Sequence, residues 1–497
     1  MKKNMLVCLL FIGLSALEAQ MRVLPADTTV VTTHKVKIRG KTVEYKATTG
    51  TQPVWNEENE PIAYVQYTYY ERSNIKNRSR RPLMISFNGG PGSGSVWMHL
   101  AYTGPKILKV DNEGFPIQPY GVRDNPYSIL DVADIVYVNP INTGYSRILD
   151  KEVEKSTFFG VNADIKYLAD WITTFVTRSN RWESPKYLIG ESYGTTRVSG
   201  LSLALQNQQW MYLNGVILVS PTELGVDAGD SGRRNGAIGA ALRIPYFTAA
   251  AWYHKKLPDD LQQLDLVDLL PEVEDYAINE LMAVIAKGGF ASAEEKKKAA
   301  QKIARYSGIS EKVILRYNLD VPTAFFWKEL LREEGYTIGR LDSRYKGIDG
   351  NDGGVRPDFS PELTSWLHSF APAINYYYAN VLNFKTDVKY NMFGPVRPWD
   401  SSNNHTGENL RQAMAQNPYL HMMIQSGYFD GATKYFDAKY TMWRLDPSGK
   451  LRDRLSFKGY YSGHMMYLRR EDLKLANEDI RAFILASTPG ENEPAKY

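Results

Sequence analysis

The chain has 497 residues, of which 43% are apolar and 23% charged, and its formal charge is +4. This is globular material with ample apolar content for a core, unlike a disordered chain or a strongly basic nucleic-acid binder. Its one cysteine, Cys8, excludes an internal disulfide framework.

The first stretch, MKKNMLVCLLFIGLSALEAQ, places Lys2 and Lys3 before an apolar run from Met5 to about Leu17, followed by small residues and Ala19. That order predicts a secretory signal peptide over residues 1–19, cleaved near Ala19, and a mature chain without cysteine. No later segment approaches the roughly 18 uninterrupted apolar residues of a membrane span, so none is expected after signal removal.

From about residue 30 to 80, HKVKIRGKTVEYKA and PIAYVQYTYYERS alternate as antiparallel strands do. Four buried-type apolar strands follow: PLMISFN, ADIVYVNP, KYLIG and LNGVILVSP. Between the second and third, Ile165, Leu168, Ile172 and Phe175 recur at helical spacing, with Asp164, Lys166 and Asp170 on other faces. Strands alternating with helices predict a mostly parallel central sheet flanked by helices. Residues 225–400 break the rhythm and read as helices and loops, including a capping box from Ser292 to Glu295. The alternation resumes with YLHMMIQSG (419–427) and a closing helix around Leu473, Ile480 and Phe483. The expected organisation is therefore an α/β core in two parts, 20–224 and 401–497, around a long helical insertion over 225–400.

Two stretches carry chemistry. In KYLIGESYGTTR, residues 190–194 form G-x-S-x-G between a strand and a helix, a turn that holds the hydroxyl of Ser192 exposed at the helix N-terminus. A serine hydroxyl needs a base to take its proton and an acid to orient that base. His464, in the turn YYSGHMMYL, is the candidate base; Asp430, just after the strand ending at Gly427, is the candidate acid, with Asp437 its rival. The second stretch is PLMISFNGGPGSGSVW, a strand ending in Gly89, Gly90, Gly92 and Gly94. A dinucleotide-binding G-x-G-x-x-G fails here, because the frames from Gly90 and Gly92 end on Ser95 and Trp97.

The segments NGGPGSGS, NPYSILDVADIVYVNPINTGYS, GESYG, SGYFD and SGHM occur in an order and approximate spacing that resembles the serine carboxypeptidase family, over roughly residues 40–220 and 415–485. The resemblance implies the α/β-hydrolase fold and removal of C-terminal residues from peptides or proteins with a free C-terminus. It implies Ser192 as nucleophile, Asp430 as orienting acid, His464 as base, and the N–H groups of Gly90 and Tyr193 as the oxyanion hole. It further implies that Asn88 and a protonated Glu191 bind the substrate carboxylate. No metal, cofactor or nucleic-acid partner is expected. Three departures stand out: Ser86 replaces a tryptophan, Tyr102 stands where the family has a second acid, and the cysteines are missing. No acid occurs from Ser86 to Val110, so the pH optimum is expected to be less acidic than is usual in the family. An esterase or acyltransferase on the same fold is the alternative function, and a non-catalytic binding protein is a further one.

Overall fold

Arg39 and Gly40, at φ 48° and 82°, turn the chain between β1 (Thr28–Ile38) and β2 (Lys41–Trp55). With β3 (Pro61–Arg72) these strands form an antiparallel flank, as their alternating pattern predicts. The computed structural model describes residues 23–228, 233–402, 404–494 and 496–497, so the expected signal segment lies outside the described residues.

The apolar strands form the parallel part of the sheet: β4 (Leu83–Phe87), β5 (Asp134–Asn139), β6 (Lys186–Glu191), β7 (Gly215–Val219) and β8 (His421–Gly427). A ninth strand, β9 (Leu455–Tyr460), is not anticipated by the sequence pattern. It lies parallel to β8 at the sheet edge and is only half buried, so it lacks the continuous apolar run of its neighbours. The order across the sheet is β1-β2-β3-β5-β4-β6-β7-β8-β9, with a short strand at Arg147–Ile148 also pairing with β3.

Residues of the central strands alternate between two cores, the period of two that a sheet covered on both faces requires. Ile85, Val136, Leu188 and Leu218 pack beneath α2 (Val161–Arg178) and α3 (Tyr193–Gln208). Met84, Ile135, Ile189 and Ile217 face the other way, onto α1 (Val96–Ala101) and the C-terminal helix. Every residue of β4 to β7 is buried.

Between β7 and β8 the chain forms α4 (Ile244–Tyr253), α5 (Leu266–Tyr276), α6 (Ala293–Ser307) and α7 (Pro361–Tyr376). Ser292 caps α6 by accepting from Glu295 N (3.1 Å), while the Glu295 carboxylate accepts from Ser292 N (2.7 Å). Buried side chains from 241 to 338 build a third core, joined by Phe429, Tyr435 and Phe436. Trp366, Phe370 and Ile374 of α7 instead enter the core around α1. After α8 (Thr406–Gln416) and β8 come α9 (Tyr435–Leu445), β9 and α10 (Arg470–Ser487). Among the described residues no helix is long and apolar enough to cross a membrane.

Asp134 at the start of β5 joins the sheet to the chain beside it. Its carboxylate accepts from Arg81 Nε (2.9 Å), Arg181 Nη1 (2.7 Å) and the backbone N of Arg72 (2.9 Å). All three ionic side chains are buried. Removing the carboxylate would leave two buried guanidinium groups without a counter-charge, so Asp134→Ala is expected to lower unfolding stability by about 3–5 kcal/mol in urea titration. A loss below about 1 kcal/mol would mean that the arginines find other partners.

Candidate active site

β6 ends at Glu191 and α3 begins at Tyr193, leaving Ser192 alone at the turn with φ 58° and ψ −126°. A positive φ on a non-glycine residue is strained and persists only where its surroundings hold it. Here Ser192 N donates to Val219 O at the end of β7 (2.9 Å). The glycine loop after β4 packs backbone to backbone against this turn. A Cβ on Gly89 would lie 2.4 Å from Tyr193 N, and one on Gly194 would lie 2.8 Å from Phe87 O. Gly90 has φ 105°, so glycine is demanded there by the backbone itself as well as by any approaching substrate. Among the described residues the N–H groups of Gly90 and Tyr193 take part in no backbone hydrogen bond.

Asp430 lies just past the end of β8, fully buried. Its Oδ1 accepts from the N–H of Ala432 (2.8 Å) and Thr433 (3.1 Å), and its Oδ2 accepts from His464 Nδ1 (2.6 Å). With Nδ1 as donor to the carboxylate, Nε2 of His464 is left as the acceptor, the tautomer a general base needs. Burial presses the imidazole pKa down, but the adjacent Asp430 carboxylate outweighs it and holds the pKa above 6.5. Asp437 is elsewhere: it sits in α9 and pairs with Lys434 Nζ (2.8 Å). The Ser192 hydroxyl has no hydrogen-bond partner among the described residues, so the structure joins His464 to Asp430 directly but not to Ser192.

Ser220, a residue the sequence reading does not single out, ties the His464 segment to the loop after Asp430. Ser220 is buried at φ 45°. Its hydroxyl donates to His464 O (2.7 Å), its carbonyl lies 2.9 Å from Thr433 Oγ1, and its N donates to Gln425 O (2.8 Å).

Residues 41–222 match the model of the serine carboxypeptidase family. Over that stretch the chain is similar to the family. It is similar to serine carboxypeptidase-like 36 of Arabidopsis thaliana, 29% identical over 172 residues that make up 33% of each chain. It is likewise similar to serine carboxypeptidase-like 7 of the same plant, 26% identical over 40% of this chain and 44% of the relative. The matches thus span about a third to under half of the curated relatives' length. Among solved structures, a prohormone-processing carboxypeptidase from Saccharomyces cerevisiae superposes with a TM-score of 0.52 at 14% identity, covering 89% of this chain and 91% of that one. That likeness is one of fold, the α/β-hydrolase fold.

The residues expected to read a carboxylate are joined to one another. Met98 N donates to Asn88 Oδ1 (3.2 Å), which turns the amide so that Asn88 Nδ2 donates to Glu191 Oε2. Tyr467, three residues after His464, donates its hydroxyl to the same oxygen (2.8 Å). Burial pushes the Glu191 carboxyl up to about 7, against the charge of His464 and the Tyr467 hydrogen bond, which pull it down. Tyr102, at the position of the family's second acid, stacks on the Tyr467 ring (4.6 Å, 12°) and donates to Gln425 Oε1 (2.5 Å). Arg197 of α3 is also missed by the sequence reading. It pairs with Asp164 (2.7 Å) and donates from Nη1 to Asn88 O (2.7 Å), tying the glycine loop to α3. Asp164, placed by periodicity on a polar face of α2, is in fact buried as the counter-charge of Arg197.

The two aspartates give opposite expectations for the reaction of Ser192 with a fluorophosphonate. Asp430→Asn should slow labelling by up to ~10⁴-fold, because the imidazole loses the partner that fixes its tautomer. Asp437→Asn should leave the rate where it was. Labelling rates of the two variants, measured side by side, decide between them, and the reverse ranking would move the acid to Asp437.

Proposed function

We propose that this protein is an exported serine carboxypeptidase that hydrolyses the C-terminal peptide bond of peptides or proteins with a free C-terminus. The observation that carries the reading is the buried Glu191 beside Ser192, hydrogen bonded to Asn88 and Tyr467, whose carboxyl burial pushes up to about 7. A carboxylic acid kept protonated next to a nucleophile donates a hydrogen bond to a substrate carboxylate, which an esterase acting on neutral substrates has no use for.

In this mechanism Ser192 Oγ attacks the last peptide carbonyl while His464 Nε2 takes its proton, and Asp430 stabilises the imidazolium that forms. The N–H groups of Gly90 and Tyr193 receive the oxyanion; one such donor is worth about 2.7–4 kcal/mol in the barrier. His464 then gives its proton to the departing amine, and water, activated by the same imidazole, hydrolyses the acyl-enzyme. Asn88 and Glu191 hold the carboxylate of the leaving residue. This chemistry needs no metal or cofactor. The helices between β7 and β8 would cap the site, and the signal over residues 1–19 would direct export, with cleavage near Ala19.

The protonation states oppose one another. Glu191 acts as donor only while protonated, a state lost as pH rises through about 7. His464 acts as base only while neutral, a state lost as pH falls through a pKa above 6.5. Because the two charges interact, they titrate as a pair. The expected kcat/KM profile is a bell with both limbs near neutrality, and Glu191→Gln should shift its alkaline limb upward. A profile still rising as pH falls to about 4 would be incompatible with this assignment.

Release of amino acids from N-blocked dipeptides, free and C-amidated, tests the function. Release from free C-termini alone, abolished by Ser192→Ala, is the expected result. Equal turnover of amidated peptides would mean that Asn88 and Glu191 read no carboxylate, and would favour an esterase or acyltransferase. The absence of any turnover would favour a binding protein.

A further inference from the structure

One segment of the insertion passes between the two loops that carry the proposed acid and base. Gly431 N donates to Arg340 O (3.0 Å), and His464 N donates to Leu341 O (2.6 Å). Arg340 is therefore fixed at the backbone beside both Asp430 and His464, while its side chain is exposed. The guanidinium is close enough for its charge to oppose protonation of the His464 ring.

Arg340 lines a cavity of about 340 Å³ together with Arg356, Trp327, Ile338 and Phe359. Among the described residues neither guanidinium makes an ion pair or a side-chain hydrogen bond. Two cations on the wall of one small cavity repel each other unless an anion stands between them. Neither nearby acid makes an ion pair with them among the described residues. Asp358, also on the wall, accepts from Gly350 N through Oδ2 (2.8 Å) and offsets one of the two positive charges at most. Glu362 is fully buried and accepts from Leu341 N (2.8 Å); burial pushes its carboxyl up to about 7, against that hydrogen bond and the Arg340 charge, which pull it down. Trp327 and Phe359 add an apolar wall, suited to the methylene stem of a side chain that ends in a charge.

The link to the substrate is through the backbone: the Arg340–Leu341 segment is hydrogen bonded to the loops of Asp430 and His464, and in the proposed mechanism His464 hands its proton to the amine of the leaving residue. We propose that Arg340 and Arg356 form a subsite for an acidic side chain on the C-terminal residue, making the enzyme selective for peptides that end in glutamate or aspartate. This rests on the carboxypeptidase reading for its substrate, and on the two unpaired arginines for its chemistry.

The test compares N-acetyl-Ala-Glu, N-acetyl-Ala-Leu and the α-amide of N-acetyl-Ala-Glu. Hydrolysis is followed with the native protein, Arg340→Met and Arg356→Met, and binding to Ser192→Ala is measured by calorimetry. The expected kcat/KM ratio of Glu to Leu exceeds about tenfold and falls by about tenfold or more in each arginine variant. Ser192→Ala should bind both Glu peptides, amide included, more tightly than the Leu peptide, with the preference fading in salt. If it binds the Glu peptides preferentially while the native protein hydrolyses none, the arginine subsite stands and the carboxypeptidase reading falls. If the Leu peptide is cleaved as well as the Glu peptide and the ratio does not move in the variants, the subsite falls and the carboxypeptidase reading stands. If the Glu preference in binding disappears with the α-amide, the arginines read the terminal carboxylate and the proposal is wrong. Failure to bind or cleave any of the peptides would also overturn it.

Discussion

The candidate site depends on the two-residue step Val219–Ser220, where β7 leaves the sheet. Val219 O accepts from Ser192 N, and Ser220 reaches the His464 carbonyl and Thr433 through its own hydroxyl and carbonyl. The proposed nucleophile, base and acid sit on three segments far apart in sequence, and these hydrogen bonds let one strand end hold all three. The cost is two strained residues, Ser192 at φ 58° and Ser220 at φ 45°, each held by bonds the other segments provide. The geometry at the strand ends follows from the parallel sheet, which delivers successive loops to one edge.

A second knot fixes where an oxyanion would go. The glycine loop and the start of α3 meet with no side chain between them, because a Cβ at Gly89 or Gly194 would strike backbone atoms. Arg197 closes the contact from below, donating to Asn88 O while its charge is met by Asp164. The guanidinium also lies over the rings of Phe87 and Tyr193. Desolvating an arginine fully is unfavourable unless it is paired and hydrogen bonded, and here both conditions are met by groups that must be held still. The rigidity of the loop and the satisfaction of the buried charge are one arrangement.

How far the sequence could be read follows from where each signal resides. β4 to β7 are buried on both faces, so each appears as a short apolar run, and the elbow at Ser192 is spelled by its flanking glycines. β9 is an edge strand whose Lys458 turns to Asp479, and half-exposed residues of that kind leave no continuous run to detect. Ser220 has no local signature at all: its partner His464 is 244 residues away. Asp164 reads as a polar-face residue because periodicity scores a charge as exposed and cannot see that the Arg197 charge will be buried with it. Asp430 and Asp437 could not be separated by spacing; a helix that turns Asp437 toward Lys434 separates them.

Tyr102 and Tyr467 change the meaning of the missing second acid. A second carboxyl beside Glu191 would share a proton with it, and two such groups cannot both be charged. A phenol instead donates a hydrogen bond to the carboxyl and favours its ionised form, while burial works the other way. The net result is a carboxyl at about 7, without a second ionisable acid in contact. Tyr102 keeps the donor in place by stacking on Tyr467, and Gln425, which accepts the Tyr102 hydroxyl, belongs to β8, the strand that ends beside Asp430. The Glu191 carboxyl is thus governed by burial and by aromatic packing anchored in the sheet.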